Sequence, residues 1–355
     1  MTFDIIGKGG YSVVISPVVT NINFWQWIIH YSDKDSTDVS KVFKHSDMSK
    51  GEEDFDLELD ILKKVMKIEG YTTFTVPIKG ASKFYSKELK HNKYILEKLG
   101  ASYSILDNDI FYQIIFGNGG IPLNQIKLEI ENYKIHTKEL IEMLKRLYNG
   151  IQLLHKNNMI HRDIKPTNIL LDYKQNKLNI IDFGLACDAK DVYDNAKSDY
   201  LLSNIYMFHP PEFYIYHLFT SKYNSACSFK QNLDNAFENL IQPSKTLSIY
   251  YENHYYKWNK CGTYDIETYA DGFRSTYNSI KEQEFQNIDR IFTYDMACKC
   301  DIYSSSHILQ YLKRYIIFDG NEDCKKYAAL CQMTGNFNPF LRSNIFQILE
   351  YLETF

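Results

Sequence analysis

The chain has 355 residues, with 40 basic and 44 acidic side chains, a net charge of -4 and 45% hydrophobic residues. At the usual ~150 residues per domain this length supports roughly two compact units, which excludes a disulfide-stapled miniprotein and a disordered chain. The slight acidic excess argues against a protein that works by neutralising nucleic-acid phosphates, so no direct nucleic-acid partner is expected.

No run of the sequence reaches the ~18 apolar residues of a membrane span, and no basic and apolar leader opens it. A cytoplasmic or nuclear location with no membrane partner is therefore expected. The seven cysteines lack zinc-type spacing and read as free thiols.

In chain order, Ile5 to Val14 and Ile15 to Val19 read as a hairpin entered through a glycine-rich turn, and Val39 to Lys44 as a third strand. A helix follows from Glu52 to Lys67, with Phe55, Leu59, Leu62 and Met66 on one face. Its acids Glu52, Glu53 and Asp54 suit a solvated helix N-terminus. The strand pattern of Tyr112 to Phe116 runs into a glycine-containing linker near Phe116 to Gly120, which separates a strand-rich unit (1–116) from a mostly helical one (117–355). Leu140, Leu144, Leu147, Ile151 and Leu154 mark one face of a long helix that breaks at Lys156-Asn157-Asn158.

Directly after that helix stands His161-Arg162-Asp163-Ile164-Lys165-Pro166-Thr167-Asn168, and Asp182-Phe183-Gly184 follows behind the strand-like Leu178 to Ile181. In order, spacing and flanking elements these two motifs resemble the catalytic loop and metal-binding loop of eukaryotic protein kinases. The resemblance implies an α+β, bilobal protein-kinase-like fold: a small antiparallel β lobe with one helix, a mostly α-helical large lobe, and ATP with Mg2+ (or Mn2+) in the cleft. It further implies that Asp163 orients the substrate hydroxyl, Asn168 and Asp182 hold the metal, and Lys165 sits against the transferred phosphate. His161 would pack beneath the metal loop against Phe183, and Arg162 would answer to an activation-loop phosphate or acidic group.

Other segments extend the resemblance. Gly7-Lys8-Gly9-Gly10-Tyr11-Ser12-Val13-Val14 is similar to the family's glycine-rich phosphate loop, with Ser12 in place of the third glycine and Val14 over the adenine. Two strand lysines stand two residues after an apolar one, Lys41 after Val39 and Lys44 after Val42. Lys41 stays inside the strand whereas Lys44 runs into polar residues, so Lys41 is the assigned nucleotide lysine and Glu58 its helix partner. Ile114 would be the gatekeeper, and the Ile115 carbonyl and Gly117 amide would meet the adenine edge; Leu170 is also assigned to the nucleotide site. Pro210-Pro211-Glu212 resembles the close of the activation segment, with Arg342 as the buried partner of Glu212. Asp301 resembles the aspartate of the central helix that supports the catalytic loop, with Ser306 where glycine is usual.

Three stretches depart from the family: Asn21 to Asp35, Ser82 to Leu106, and an insertion at about 213–297. Such insertions make the chain resemble kinases of large eukaryotic DNA viruses, which implies a host-cell location. Within the last insertion Asn232 to Tyr277 reads as the protruding part, either a docking surface for a protein partner or a purely structural cap. Lys165 with Pro166 implies transfer to serine or threonine of protein substrates. Acids that read an upstream arginine in the family are replaced by Thr167 and Ile121, so no basic preference is expected. The rival readings are a pseudokinase scaffold, favoured by Ser12 and the insertions, and a kinase of a small molecule.

Overall fold

Six antiparallel strands form the centre of the first unit: β1 (Asp4–Lys8), β2 (Ser12–Ser16), β3 (Phe24–Ile28), β4 (Val39–Phe43), β5 (Ile78–Tyr85) and β6 (Ile110–Phe116), in the order β1-β2-β4-β6-β5-β3. The computed structural model describes residues 4–8, 12–16, 24–28, 38–43, 48–89, 93–99, 109–126, 130, 132–192, 208–213, 215–216, 266–282 and 290–355. It divides the chain into Met1–Gly120 and Ile121–Phe355.

Register decides what each face of this sheet carries. Val14, Lys41, Ile114 and Ala81 are successive cross-strand partners, so their side chains share a face. Helix α1 (Met48–Met66) covers that face with Phe55, Leu59, Leu62 and Val65, all buried at helical spacing. The ring of Phe55 lies 5.5 Å from Phe43 and 5.1 Å from Tyr112. Each such side chain contributes roughly 1.5–3 kcal/mol by leaving water.

The opposite face is buried as well. Val13, Ile15, Val42, Phe84 and Phe111 pack with Leu89, Ile95 and Leu99, which come from a 3-10 turn and from the short helix α2 (Lys93–Lys98) and its end. Between them runs a polar row: Ser40 Oγ donates to Gln113 Oε1, and Gln113 Nε2 donates to Ser82 Oγ at 3.0 Å. Buried polar groups paired in this way avoid the cost of unmet hydrogen bonds. A sheet covered on both sides loses its apolar–polar alternation, which is why β6 reads as a nearly continuous apolar run.

These observations correct the sequence expectations in the first unit. The hairpin is formed by β1 and β2, so the strands connect between Lys8 and Ser12 and not after Val14. Asn21 to Asp35 contributes β3, an edge strand on β5, and Ser82 to Tyr85 belongs to β5 itself. The unit therefore carries a second helix, α2, beside α1.

The second unit begins with β7 (Ile121–Pro122) and β8 (Ile135–His136), followed by α3 (Thr137–Lys156) and β9 (Met159–Ile160). Next come β10 (Ile169–Asp172), β11 (Lys177–Ile180) and β12 (Cys187–Asp188), then α4 (Ile266–Glu282), α5 (Tyr294–Leu312), β13 (Ile316–Ile317), α6 (Asn321–Gly335) and α7 (Ile345–Leu352). The apolar stripe of α3 is buried along Leu140, Leu144, Leu147, Ile151 and Leu154. The helix ends at Asn157, and Asn158 takes φ 59, the left-handed region that asparagine tolerates. Sheet β11-β10-β7 and the antiparallel pair β12-β9 bracket the loop between β9 and β10. Buried all round, α5 is the unit's axis.

Helix α4 overturns the idea that Asn232 to Tyr277 protrudes as a whole. Its Phe273, Thr276, Tyr277 and Ile280 are buried. Thr276 Oγ1 donates to the Phe337 carbonyl at 2.8 Å, and a Cβ added at Gly272 would run into the Phe337 ring. The later part of the insertion is thus core.

Candidate active site

In the first unit, Lys41 Nζ lies 2.6 Å from both Glu58 carboxylate oxygens. Glu58 is buried on the stripe of α1 that holds Phe55 and Leu62, and Lys41 sits mid-strand in β4, so helix and strand each fix one partner. Val14, Ile114, Ser12 and Val39 belong to the same sheet face as Lys41 by register. Lys44 and Gly9 lie outside the described residues, and Gly7 pairs with Val14 beside a bulge in β1. Gly117 N donates to Pro77 O at 3.0 Å, closing the β5–β6 ladder. Ile115 pairs with Ser40 and Gly80.

In the second unit the loop between β9 and β10 gathers Asp163, Lys165 and Asn168. Lys165 Nζ reaches Asp163 Oδ1 at 2.9 Å and Oδ2 at 2.7 Å. Asn168 Nδ2 donates to Asp163 Oδ2 at 2.8 Å and to its backbone carbonyl at 3.0 Å. Both acceptors are oxygens, so the amide nitrogen must face Asp163 and its Oδ1 must face away. Burial raises the Asp163 carboxyl, Lys165 opposes that rise, and the nearby Asp182 adds to it; the net direction is up.

The backbone of this loop is strained and strongly held. Arg162 takes φ 66, a left-handed conformation that costs a non-glycine residue about 1–3 kcal/mol. Asp301 of α5 compensates, its Oδ2 accepting from His161 N and its Oδ1 from Arg162 N, both at 2.9 Å. His161 donates from Nε2 to the Ile181 carbonyl at 3.2 Å, accepts from Asp163 N at 3.2 Å, and packs edge-on against Phe183 at 4.8 Å. That bond ties the loop to the Asp182 turn, as does Ile181 N donating to Asn168 O at 3.0 Å. Asp182 itself has φ 66. Leu170 sits in β10 opposite Pro122 and Asn179, half-buried.

The Arg162 guanidinium meets the Leu185 carbonyl at 3.5 Å, Cys187 Sγ at 3.7 Å and the face of Phe213 at 5.6 Å. No carboxylate pairs with it among the described residues. Farther along, Arg342 Nη1 and Nη2 reach Glu212 at 2.5 and 3.2 Å, with both side chains fully buried.

The donor set of Asn168 and Asp182 suits Mg2+, which favours oxygen ligands and takes one or two carboxylates alongside phosphates and water. The raising of Asp163 by Asp182 is a like-charge effect that a cation there would relieve. Among the described residues no group of three or more His, Cys, Asp or Glu is placed to hold an ion without such additional ligands.

Two histidines escaped the sequence reading. His155 Nε2 donates to Asp301 Oδ2 at 3.1 Å, and its place one residue after Leu154 on the apolar stripe of α3 was the available signal. Burial pushes the His155 imidazole down, but its bond to the Asp301 carboxylate, with Cys298 nearby, outweighs that and carries it up to about 9. His209 hydrogen-bonds the Arg162 carbonyl at 2.9 Å, a contact across 47 residues with no local signature.

With this geometry established, comparison with known proteins becomes specific. Residues 87–225 match the protein kinase domain, well under half of the chain. The chain is 30% identical over 124 residues to a probable casein kinase I homolog of Encephalitozoon cuniculi, covering 32% of this chain and 40% of the relative. It is 35% identical over 89 residues to calcium-dependent protein kinase 4 of Plasmodium falciparum, covering 24% and 16%. It is 34% identical over 80 residues to serine/threonine-protein kinase PrkC of Bacillus subtilis, covering 22% and 12%. The matched segments thus span 40% or less of these relatives' lengths. The domain match and these distant relatives together support a protein kinase of the eukaryotic-type superfamily.

Proposed function

We propose that the chain is an ATP-dependent kinase that phosphorylates serine or threonine hydroxyls of protein substrates. The observation that carries this reading is Asp163, held at its carboxylate by both Lys165 and Asn168 in the loop that Asp301 anchors. Phosphoryl transfer asks a protein mainly for positioning and fixed charge. Fixed by Asn168, Asp163 would accept a hydrogen bond from the attacking hydroxyl and take its proton as the bond to phosphorus forms. Its upward-shifted carboxyl is better matched to that task than an exposed aspartate.

Lys165 would place its ammonium beside both the hydroxyl and the transferred phosphate, and Lys41, oriented by Glu58, would hold the nucleotide phosphates. Asp182 and the Oδ1 of Asn168 would hold Mg2+, which when bound neutralises phosphate charge. Preference for serine and threonine rests on Lys165 at Asp163, and the similarity to the serine/threonine-protein kinase of Bacillus subtilis agrees with it. Transfer of radiolabelled phosphate from ATP to the chain itself and to generic proteins, beside an Asp182→Asn control, tests the proposal. Absence of transfer by the unaltered chain with ATP and Mg2+ would sink it.

A further inference from the structure

We propose that His209 is a positioning residue for Asp163, acting through the carbonyl of Arg162. This deepens the phosphotransfer reading and rests on it. Arg162 has a left-handed φ of 66, which must be maintained for Asp163 to face its partners. Asp301 takes the amide of Arg162 at 2.9 Å, and His209 Nε2 takes its carbonyl at 2.9 Å. The peptide groups on both sides of the strained residue are therefore held, one from α5 and one from the end of the activation segment.

A carbonyl only accepts, so Nε2 carries the proton and the imidazole is the neutral Nε2–H tautomer. Burial, together with the positive charges of Arg162 and Lys165, holds the ring's pKa down at about 3, while the hydrogen bond to the Arg162 carbonyl and, behind it, Asp301 act in the other direction. The donor thus keeps one form across ordinary pH. His209 is itself fixed. Its ring packs at a tilt against Phe213, the centroids 4.6 Å apart, the carbonyl of Phe208 accepts from Ser304 Oγ at 2.6 Å, and Glu212 is clamped by Arg342. A ring anchored at these points transmits the position of the activation segment's end directly to the residue before Asp163.

The test uses the full chain with three variants: His209→Leu and His209→Met, which remove the donor, and His209→Gln, whose amide keeps one. Steady-state kcat and the KM for ATP are measured with amide hydrogen exchange of residues 159–168 and the thermal midpoint. Both donorless variants should lose about 100-fold in kcat with KM for ATP within about twofold, the magnitude a small misplacement of a reacting group produces. Exchange across 161–164 should quicken in them, and His209→Gln should recover at least about tenfold of the lost kcat together with slow exchange. Wild-type kcat and exchange in the donorless variants would overturn the proposal, as would a Gln variant no better than Leu in both readouts. A wild-type chain without transfer activity would refute the kinase reading, while the exchange comparison would still decide whether His209 holds the loop.

Discussion

Lys41 of β4 and Glu58 of α1 meet through two contacts of 2.6 Å, joining the central sheet of the first unit to the helix that covers it. Their side chains are only 12% and 5% exposed, so solvent screens the pair weakly and removing one partner leaves a charge without this contact. Lys41→Met and Glu58→Gln are each expected to lower phosphate transfer at least about 100-fold, since each disturbs charge aimed at the phosphates. The accompanying loss of stability should be about 1.5–3 kcal/mol, as for a hydrogen bond to a charged group. Kinetics and denaturant unfolding of both variants check this. If Lys41→Ala keeps activity while Lys44→Ala abolishes it, the assignment of the strand lysine is wrong.

The His155–Asp301 pair gives stability a pH signature. His155 rises from its ordinary 6.5 to about 9 in the folded chain, and Asp301 is lowered, burial being outweighed by the bonds and charges of His155 and His161. A raised histidine contributes fully below its unfolded pKa and loses that contribution as pH climbs through about 9. The lowered aspartate contributes above its unfolded value and loses its share as acid brings the pH through its folded pKa. The thermal midpoint should therefore fall between pH 7 and about 9.5, and His155→Gln should flatten that decline. An equally steep decline in the variant would show that other groups set the alkaline limb.

The later part of the insertion is expected to be required for folding. Removing Gln242 to Tyr277 takes away the buried Gly272, Phe273, Thr276 and Tyr277, of which Gly272 and Thr276 meet Phe337. Soluble yield and thermal midpoint of that deletion should both drop. The single change Gly272→Ala should cost about 1–3 kcal/mol by overpacking against Phe337. A deletion that melts like the intact chain would mean that α4 is dispensable.

Substrate preference follows from two positions that lack acids. Thr167 is exposed in the catalytic loop and Ile121 opens the second unit in β7, so neither supplies a carboxylate for an incoming guanidinium. A degenerate peptide array should show no enrichment of arginine upstream of the phosphorylated residue. Dominance of arginine there would require acids from other parts of the chain.

What was legible in the sequence was governed by local rules. The α3 stripe from Leu140 to Leu154 and the clustering of Asp163, Lys165 and Asn168 within six residues could be read because period and short spacing fix who meets whom. The partners Glu58 and Arg342 were reachable only through resemblance, since their contacts with Lys41 and Glu212 cross 17 and 130 residues. Long-range geometry without local pattern stayed hidden. Burial of both sheet faces masked the place of α2 and β3, and mixed composition in α4 concealed a face that Phe337 covers. The bond from the Gly117 amide to the Pro77 carbonyl could not be foreseen, because a backbone donor leaves no trace in residue type.

The most direct test of the account is phosphate transfer from ATP by the purified full chain, compared with Asp163→Asn and Asp182→Asn variants shown by melting to be folded. The account predicts Mg2+-dependent transfer to serine or threonine by the unaltered chain, with each variant reduced by at least about 100-fold. Transfer by either variant at the rate of the unaltered chain, or no transfer by any of the three, would contradict it.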